Sequence, residues 1–117
     1  MRGADAEAQA LKHLQAAGLR LVARNWRCRG GELDLVMRDR DTLVFVEVRS
    51  RARSDFGSAS ETIDARKQAR LTLAARNFLG AQPEHLQRAA RFDVVALDGA
   101  PGQAQKLEWL RAAFDAE

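Results

Sequence analysis

The chain has 117 residues, 46% of them hydrophobic and 30% charged, with a formal net charge of +3 and a pI near 9.7. That length suits one compact domain over residues 1–117, able to bury a core without disulfide or metal staples. The composition excludes a disordered chain, and the apolar runs are too short to span a bilayer, so no membrane partner is expected.

Cys28 is the only cysteine, which excludes an intramolecular disulfide and a cysteine-rich zinc site. The opening MRGADAEAQALKHL has no apolar stretch of the kind a signal peptide needs, so a reducing cytoplasm is the expected compartment. Only Lys12, Lys67 and Lys106 are lysines, and the other basic residues are arginines. An arginine-rich genome accounts for that bias as well as phosphate binding does. The distribution says more: from Arg20 to Arg53 there are nine arginines against five acids.

In chain order, Ala6, Ala10, Leu11, Leu14 and Ala17 recur at helical spacing, and Gly18 stands where a helix C-cap belongs, which predicts a helix over 4–17. LRLVARNWR (19–27) alternates and reads as a strand. Gly30-Gly31 punctuates, and GELDLVM (31–37) and TLVFVEV (42–48) read as the second and third strands, joined as a hairpin. RSRARSDFGSAS (49–60) reads as a loop. Asp64 is a fitting N-cap for a helix over 65–79, stopped by Gly80. A short helix from Gln82 to Ala90 is expected to start at Pro83. RFDVVALD (91–98) is a fourth strand, GAPG (99–102) a turn, KLEWL (106–110) a fifth strand, and 112–117 a tail. The order helix, three strands, two helices, two strands predicts an α/β sandwich, with the 65–79 helix as the crossover between parallel strands.

The hairpin raises a chemical question. Glu32, Asp34 and Val36 share one strand face, and Phe45, Glu47 and Arg49 share another. A loop of Asp39 to Thr42 pairs Arg38 with Leu43, which sets Asp34 opposite Glu47 and Glu32 opposite Arg49. Opposed carboxylates among Val and Phe are destabilising unless something compensates. A divalent cation such as Mg²⁺ is one compensator. Neutralisation by Arg49 and Glu32, or a solvated face, is another.

Gly31-Glu32-Leu33-Asp34-Leu35-Val36 followed by Val44-Phe45-Val46-Glu47-Val48-Arg49 resembles the motif of the restriction-endonuclease-like superfamily, PD-(D/E)XK. More narrowly, the chain resembles the bacterial YraN-like family, an uncharacterised group related by fold to archaeal Holliday-junction resolvases. Ala23-Arg24-Asn25-Trp26-Arg27, Phe56-Gly57, Arg66-Lys67 and Arg91-Phe92-Asp93-Val94-Val95 extend the resemblance almost end to end. It implies a restriction-endonuclease-like α/β fold, a mixed central sheet of about five strands flanked by helices. It also implies an Mg²⁺- or Mn²⁺-dependent endonuclease acting on DNA, with branched or repair intermediates as candidate substrates. Asp34 and Glu47 would be the metal carboxylates, joined by Glu7 from the first helix, with Glu32 an auxiliary acid or the partner of Arg49. Arg49 stands where the superfamily has lysine. An arginine keeps its proton in a protein, so Arg49 can position or stabilise charge but not act as a base. Ala6 stands before Glu7 where the family has glycine.

Arg51, Arg53, Arg66, Lys67 and Arg70 are the expected nucleic-acid-binding residues, holding backbone phosphates. A catalytically inactive nucleic-acid-binding module on a nuclease fold is the alternative, and a protein-interaction domain a third. RNA as the ligand and a homodimer stay open. His13 and His85 read as surface or helix residues, Cys28 as a strand-end residue, and Trp26 and Trp109 as core or strand residues.

Overall fold

The computed structural model describes residues 2–51, 63–99 and 106–114. Helix α1 (Arg2–Ala16) precedes strands β1 (Arg20–Cys28), β2 (Gly31–Asp39) and β3 (Thr42–Arg51). Helix α2 (Ala65–Ala81) follows, then a single 3-10 turn (Pro83–His85), β4 (Ala90–Asp98) and β5 (Lys106–Phe114). The five strands form one mixed sheet in the order β1-β2-β3-β4-β5. Only β3 and β4 pair in parallel, from Leu43↔Ala90 to Arg51↔Asp98, and α2 is the crossover that such a pair requires. These two strands carry the chain's densest Val, Leu and Phe runs, as strands covered on both faces do.

The helices lie on opposite faces. Ala10 and Leu14 of α1 join Leu35, Met37, Val44 and Val46 in one core. Leu71, Ala74 and Phe78 of α2 join Val36, Phe45 and Phe92 in the other. The expected mixed sheet flanked by helices is therefore the observed architecture. No helix among the described residues is long and apolar enough to cross a membrane.

The hairpin keeps the expected register, with Arg38 opposite Leu43. It adds the pair Asp39↔Thr42, so the turn tightens to Arg40-Asp41, with Arg40 in the left-handed region (φ 57). Asp64 caps α2 as expected, accepting the Lys67 N–H at 2.8 Å. Gly80 does not stop the helix. It continues to Ala81, and Gln82 N–H closes the end on Phe78 and Leu79 carbonyls. The expected helix over 82–90 shrinks to one turn because the Ala89 carbonyl already accepts the Leu43 N–H at 2.8 Å, and the sheet claims the chain from there.

β5 outlasts its expected end. Phe114 pairs with Phe92 beyond an irregularity in the ladder and stacks on it at 4.6 Å, and Ala112 N–H donates to Asp93 Oδ1, so the chain past Leu110 stays on the sheet as far as Phe114. His85, read as a surface or helix residue, ends the 3-10 turn and is buried there, stacked on Phe78 and accepting from Arg88 Nε. His13 is exposed and meets Trp109 edge-on. Arg53, Phe56-Gly57 and the GAPG turn beyond Gly99 lie outside the described residues, as does the tail beyond Phe114.

Candidate active site

The site begins with an irregularity in β2. Side chains two apart on a strand share a face, yet Leu33 packs in the α2-side core and Leu35 in the α1-side core. The alternation therefore breaks across Asp34. Among the described residues the β2–β3 ladder ends at Leu35↔Val46, one step short of an Asp34↔Glu47 backbone pair. In its place Val48 N–H donates to Asp34 Oδ2 at 2.9 Å. A side-chain carboxylate thus takes over a ladder acceptor's role and is fixed there by it.

Glu47 comes from the neighbouring strand, its side chain only 6% exposed. Two cations converge on its Oε2: Lys67 Nζ at 3.4 Å and Arg49 Nη1 at 3.5 Å. Burial is the main force on its acidity, followed by the charge of Asp34. Together with a hydrogen bond to the Asp34 carboxyl they outweigh Lys67 and Arg49, and the Glu47 carboxyl is pushed up to about 7. Glu7, half-buried on α1, is also raised, by burial and then by Asp34; the Asn25 side chain opposes this by hydrogen bonding. Asn25 sits within β1 at φ 49, a conformation asparagine tolerates better than most residues.

The structure thus brings together Asp34, Glu47 and Arg49, with Glu7 near enough to Asp34 for their charges to interact. Glu32, whose charge also acts on Glu7, has its Oε2 3.8 Å from Arg27 Nε, both side chains well exposed; Arg49 pairs with Glu47 instead. Arg66 and Arg70 are exposed on α2. Arg70 lines an open cleft of about 700 Å³ with Arg27, Gly30, Gly31, Glu32 and Lys67. Gly31 is what lets α2 close on this end of β2: a Cβ there would lie 2.8 Å from the Arg70 carbonyl oxygen. Arg51 ends β3, and Arg53 is outside the described residues.

Sequence reasoning missed two things. It assigned Lys67 to phosphate alone, whereas Lys67 is an ion-pair partner of the buried acid. It also gave no role to Asp93, which is buried on β4 and accepts from Arg91 Nε (3.0 Å), Trp109 Nε1 (2.9 Å) and Ala112 N (3.0 Å). Arg91 Nη1 extends this network to Asp39 Oδ2 at 3.1 Å. The one signal for it was a charged residue inside the apolar run of β4. With every buried side-chain polar atom among the described residues satisfied, the network is a brace between β2, β4 and β5.

Among the described residues no group of three or more His, Cys, Asp or Glu side chains is arranged to hold a metal ion. The donor set is instead two adjoining carboxylates, Asp34 and Glu47. Hard oxygen pairs of this kind suit Mg²⁺ or Mn²⁺, which complete their coordination with water and phosphate oxygens.

A family model described as "Uncharacterised protein family UPF0102" matches residues 6–97, a span that contains Glu7, Asp34, Glu47, Arg49 and Lys67. A UPF0102 protein of Pseudomonas entomophila is 58% identical over 113 residues, covering 97% of this chain and 92% of its own length. A UPF0102 protein of Pseudomonas fluorescens is 57% identical over the same shares. One from Stutzerimonas stutzeri is 56% identical, with 97% of this chain and 93% of its own length covered.

Proposed function

This chain belongs to the UPF0102 family, and we propose that it is a metal-dependent endonuclease that hydrolyses phosphodiester bonds in DNA, branched and repair intermediates included. The observation that carries the reading is the pair Asp34 and Glu47, held side by side where the β2–β3 ladder opens, with Arg49 and Lys67 beside them and a basic cleft alongside. The resemblance of the GELDLV and VFVEVR segments to the PD-(D/E)XK motif points the same way.

The two carboxylates fit a hard divalent cation, and Asp34 and Glu47 would hold it. When bound, it supplies charge for the phosphate oxygens and makes a water more acidic. The protein's own groups do the rest. Arg27 and Arg70 hold backbone phosphates flanking the cleavage point, and Arg49 faces the negative charge that develops on the phosphoryl oxygens. Water adds to phosphorus, the bond from phosphorus to the sugar oxygen breaks, and that oxygen recovers the proton the water gives up. Glu7 acts as an auxiliary acid through its interaction with Asp34, and Glu32 shapes the rim with Arg27. A cytoplasmic location goes with this reading.

A second reading, a nucleic-acid-binding module that does not cleave, has one observation in its favour. Glu47 already has two cations on one oxygen, so part of the acid pair's charge is met without a metal. Incubation of the wild type and Asp34→Asn with branched, single-stranded and duplex DNA, with Mg²⁺ or Mn²⁺, separates the two. Cleavage by the wild type alone supports the nuclease. Binding without cleavage by either supports the module, and neither binding nor cleavage rejects both.

A further inference from the structure

Lys67 stands in the first turn of α2, where Asp64 holds its backbone N–H at 2.8 Å. Its Nζ reaches back over the sheet to Glu47 Oε2 at 3.4 Å, the oxygen that Arg49 Nη1 approaches at 3.5 Å. With both carboxylates ionised, Lys67 and Arg49 balance Asp34 and Glu47, two positive charges against two negative. A divalent ion entering this balance meets two like charges at short range, and their repulsion opposes its binding. Moving one of them off Glu47 relieves that repulsion.

The two cations differ in their freedom to do so. Arg49 is two residues from Glu47 on the same strand, and its planar fork is bulky. Lys67 carries a compact ammonium on a flexible four-carbon stem, its side chain is 32% exposed, and it lines the cleft with Arg27 and Arg70. A short movement takes its ammonium from the carboxylate into the space where a backbone phosphate would lie.

We propose that Lys67 is a catalytic residue that works as a displaceable counter-ion. It neutralises Glu47 while the carboxylates hold no metal, and it contacts the scissile phosphate once they do. This rests on the reading of Asp34 and Glu47 as metal-holding carboxylates. Its role is charge placement, with no proton transfer.

The test is calorimetric titration of Mn²⁺ into the whole chain without nucleic acid, for wild type, Lys67→Met, Lys67→Arg and Asp34→Asn, each checked for fold by far-UV circular dichroism. Removing one like charge should make Lys67→Met bind Mn²⁺ roughly tenfold tighter than wild type, while its cleavage rate at saturating Mn²⁺ falls on the order of 10²-fold. Lys67→Arg should return the affinity to near the wild-type value, and Asp34→Asn should bind no Mn²⁺. The opposite signs are diagnostic, since loss of a mere structural prop would lower affinity and rate together. If Lys67→Met fails to fold, Lys67→Gln keeps a donor for Glu47 without the charge and carries the same expectation. Unchanged or weaker binding in the folded Lys67 variant, with wild type binding and Asp34→Asn not, overturns the counter-ion role and leaves the metal carboxylates standing. No binding by either wild type or the Lys67 variant overturns both.

Discussion

Asp34 Oδ2 accepts the backbone N–H of Val48 at 2.9 Å, so the carboxylate of one strand serves the main chain of the next. This bond sits where β2 and β3 stop pairing, and it fixes Asp34 against Glu47. Two acids are thereby held together by the sheet itself, in a place where burial and the charge of Asp34 both resist the ionisation of Glu47.

The first consequence is a pH-dependent stability. Glu47 is raised from 4.5 to about 7 in the fold, so between these values the folded state binds more protons than the unfolded one. Stability from this group is full below about pH 4.5 and is lost as pH rises through about 7, a change of about 3 kcal/mol for a shift of this size. Glu47→Gln should abolish that loss. Urea unfolding of both proteins from pH 4.5 to 8 should show the variant gaining on the wild type as pH rises; a constant difference would remove the strained acid pair from the account.

Binding to nucleic acid should be read out by salt. Each phosphate neutralised by Arg27 or Arg70 releases counterions, so affinity falls steeply as salt increases. Arg27→Ala combined with Arg70→Ala should reduce the slope of log affinity against log salt by roughly two units, one per lost contact. An unchanged slope would show that the cleft these residues line does not hold the backbone.

Arg49 offers a kinetic test. An interaction made in the transition state acts on kcat more than on binding. Arg49→Ala should lower kcat on the order of 10²–10³-fold with a smaller change in substrate affinity. Arg49→Lys should retain activity as a point charge beside Glu47. Equal losses of affinity and rate in Arg49→Ala would mark it as a binding residue.

The brace on the far side of the sheet should matter for folding. Asp93→Ala leaves the half-buried Arg91 with Asp39 as its remaining carboxylate and strips Trp109 Nε1 and Ala112 N of their acceptor. Breaking a buried pair of this kind costs about 3–5 kcal/mol, measurable by urea unfolding. A cost under about 1 kcal/mol, the range of surface pairs, would mean the network is solvated.

The acid pair was legible in the sequence because two short-range rules suffice. Alternation within β3 gives Glu47 its face, and the short hairpin sets the register whose next step past Leu35↔Val46 brings Asp34 beside Glu47. The helix start at Asp64 was legible for the same reason, since a cap is a local event. Lys67 on Glu47 was not, because it depends on how α2 seats on the sheet, and that seating turns on Gly31 admitting the Arg70 carbonyl. The break in alternation at Asp34 was hidden as well: GELDLVM reads as a regular strand, and only packing on two faces reveals that Leu33 and Leu35 part company. The burial of His85 was hidden too, because it comes from Phe78, seven residues earlier on another element.

The central claim, that Asp34 and Glu47 form a metal-dependent nuclease site, is tested most directly by single-turnover cleavage. Wild type, Asp34→Asn and Glu47→Gln should be compared on branched and duplex DNA across an Mg²⁺ and Mn²⁺ titration. The wild type should cleave only with metal, and each variant, folded, should lose at least on the order of 10²-fold in rate. No cleavage by the wild type at any metal concentration, or cleavage undiminished in both variants, would contradict it.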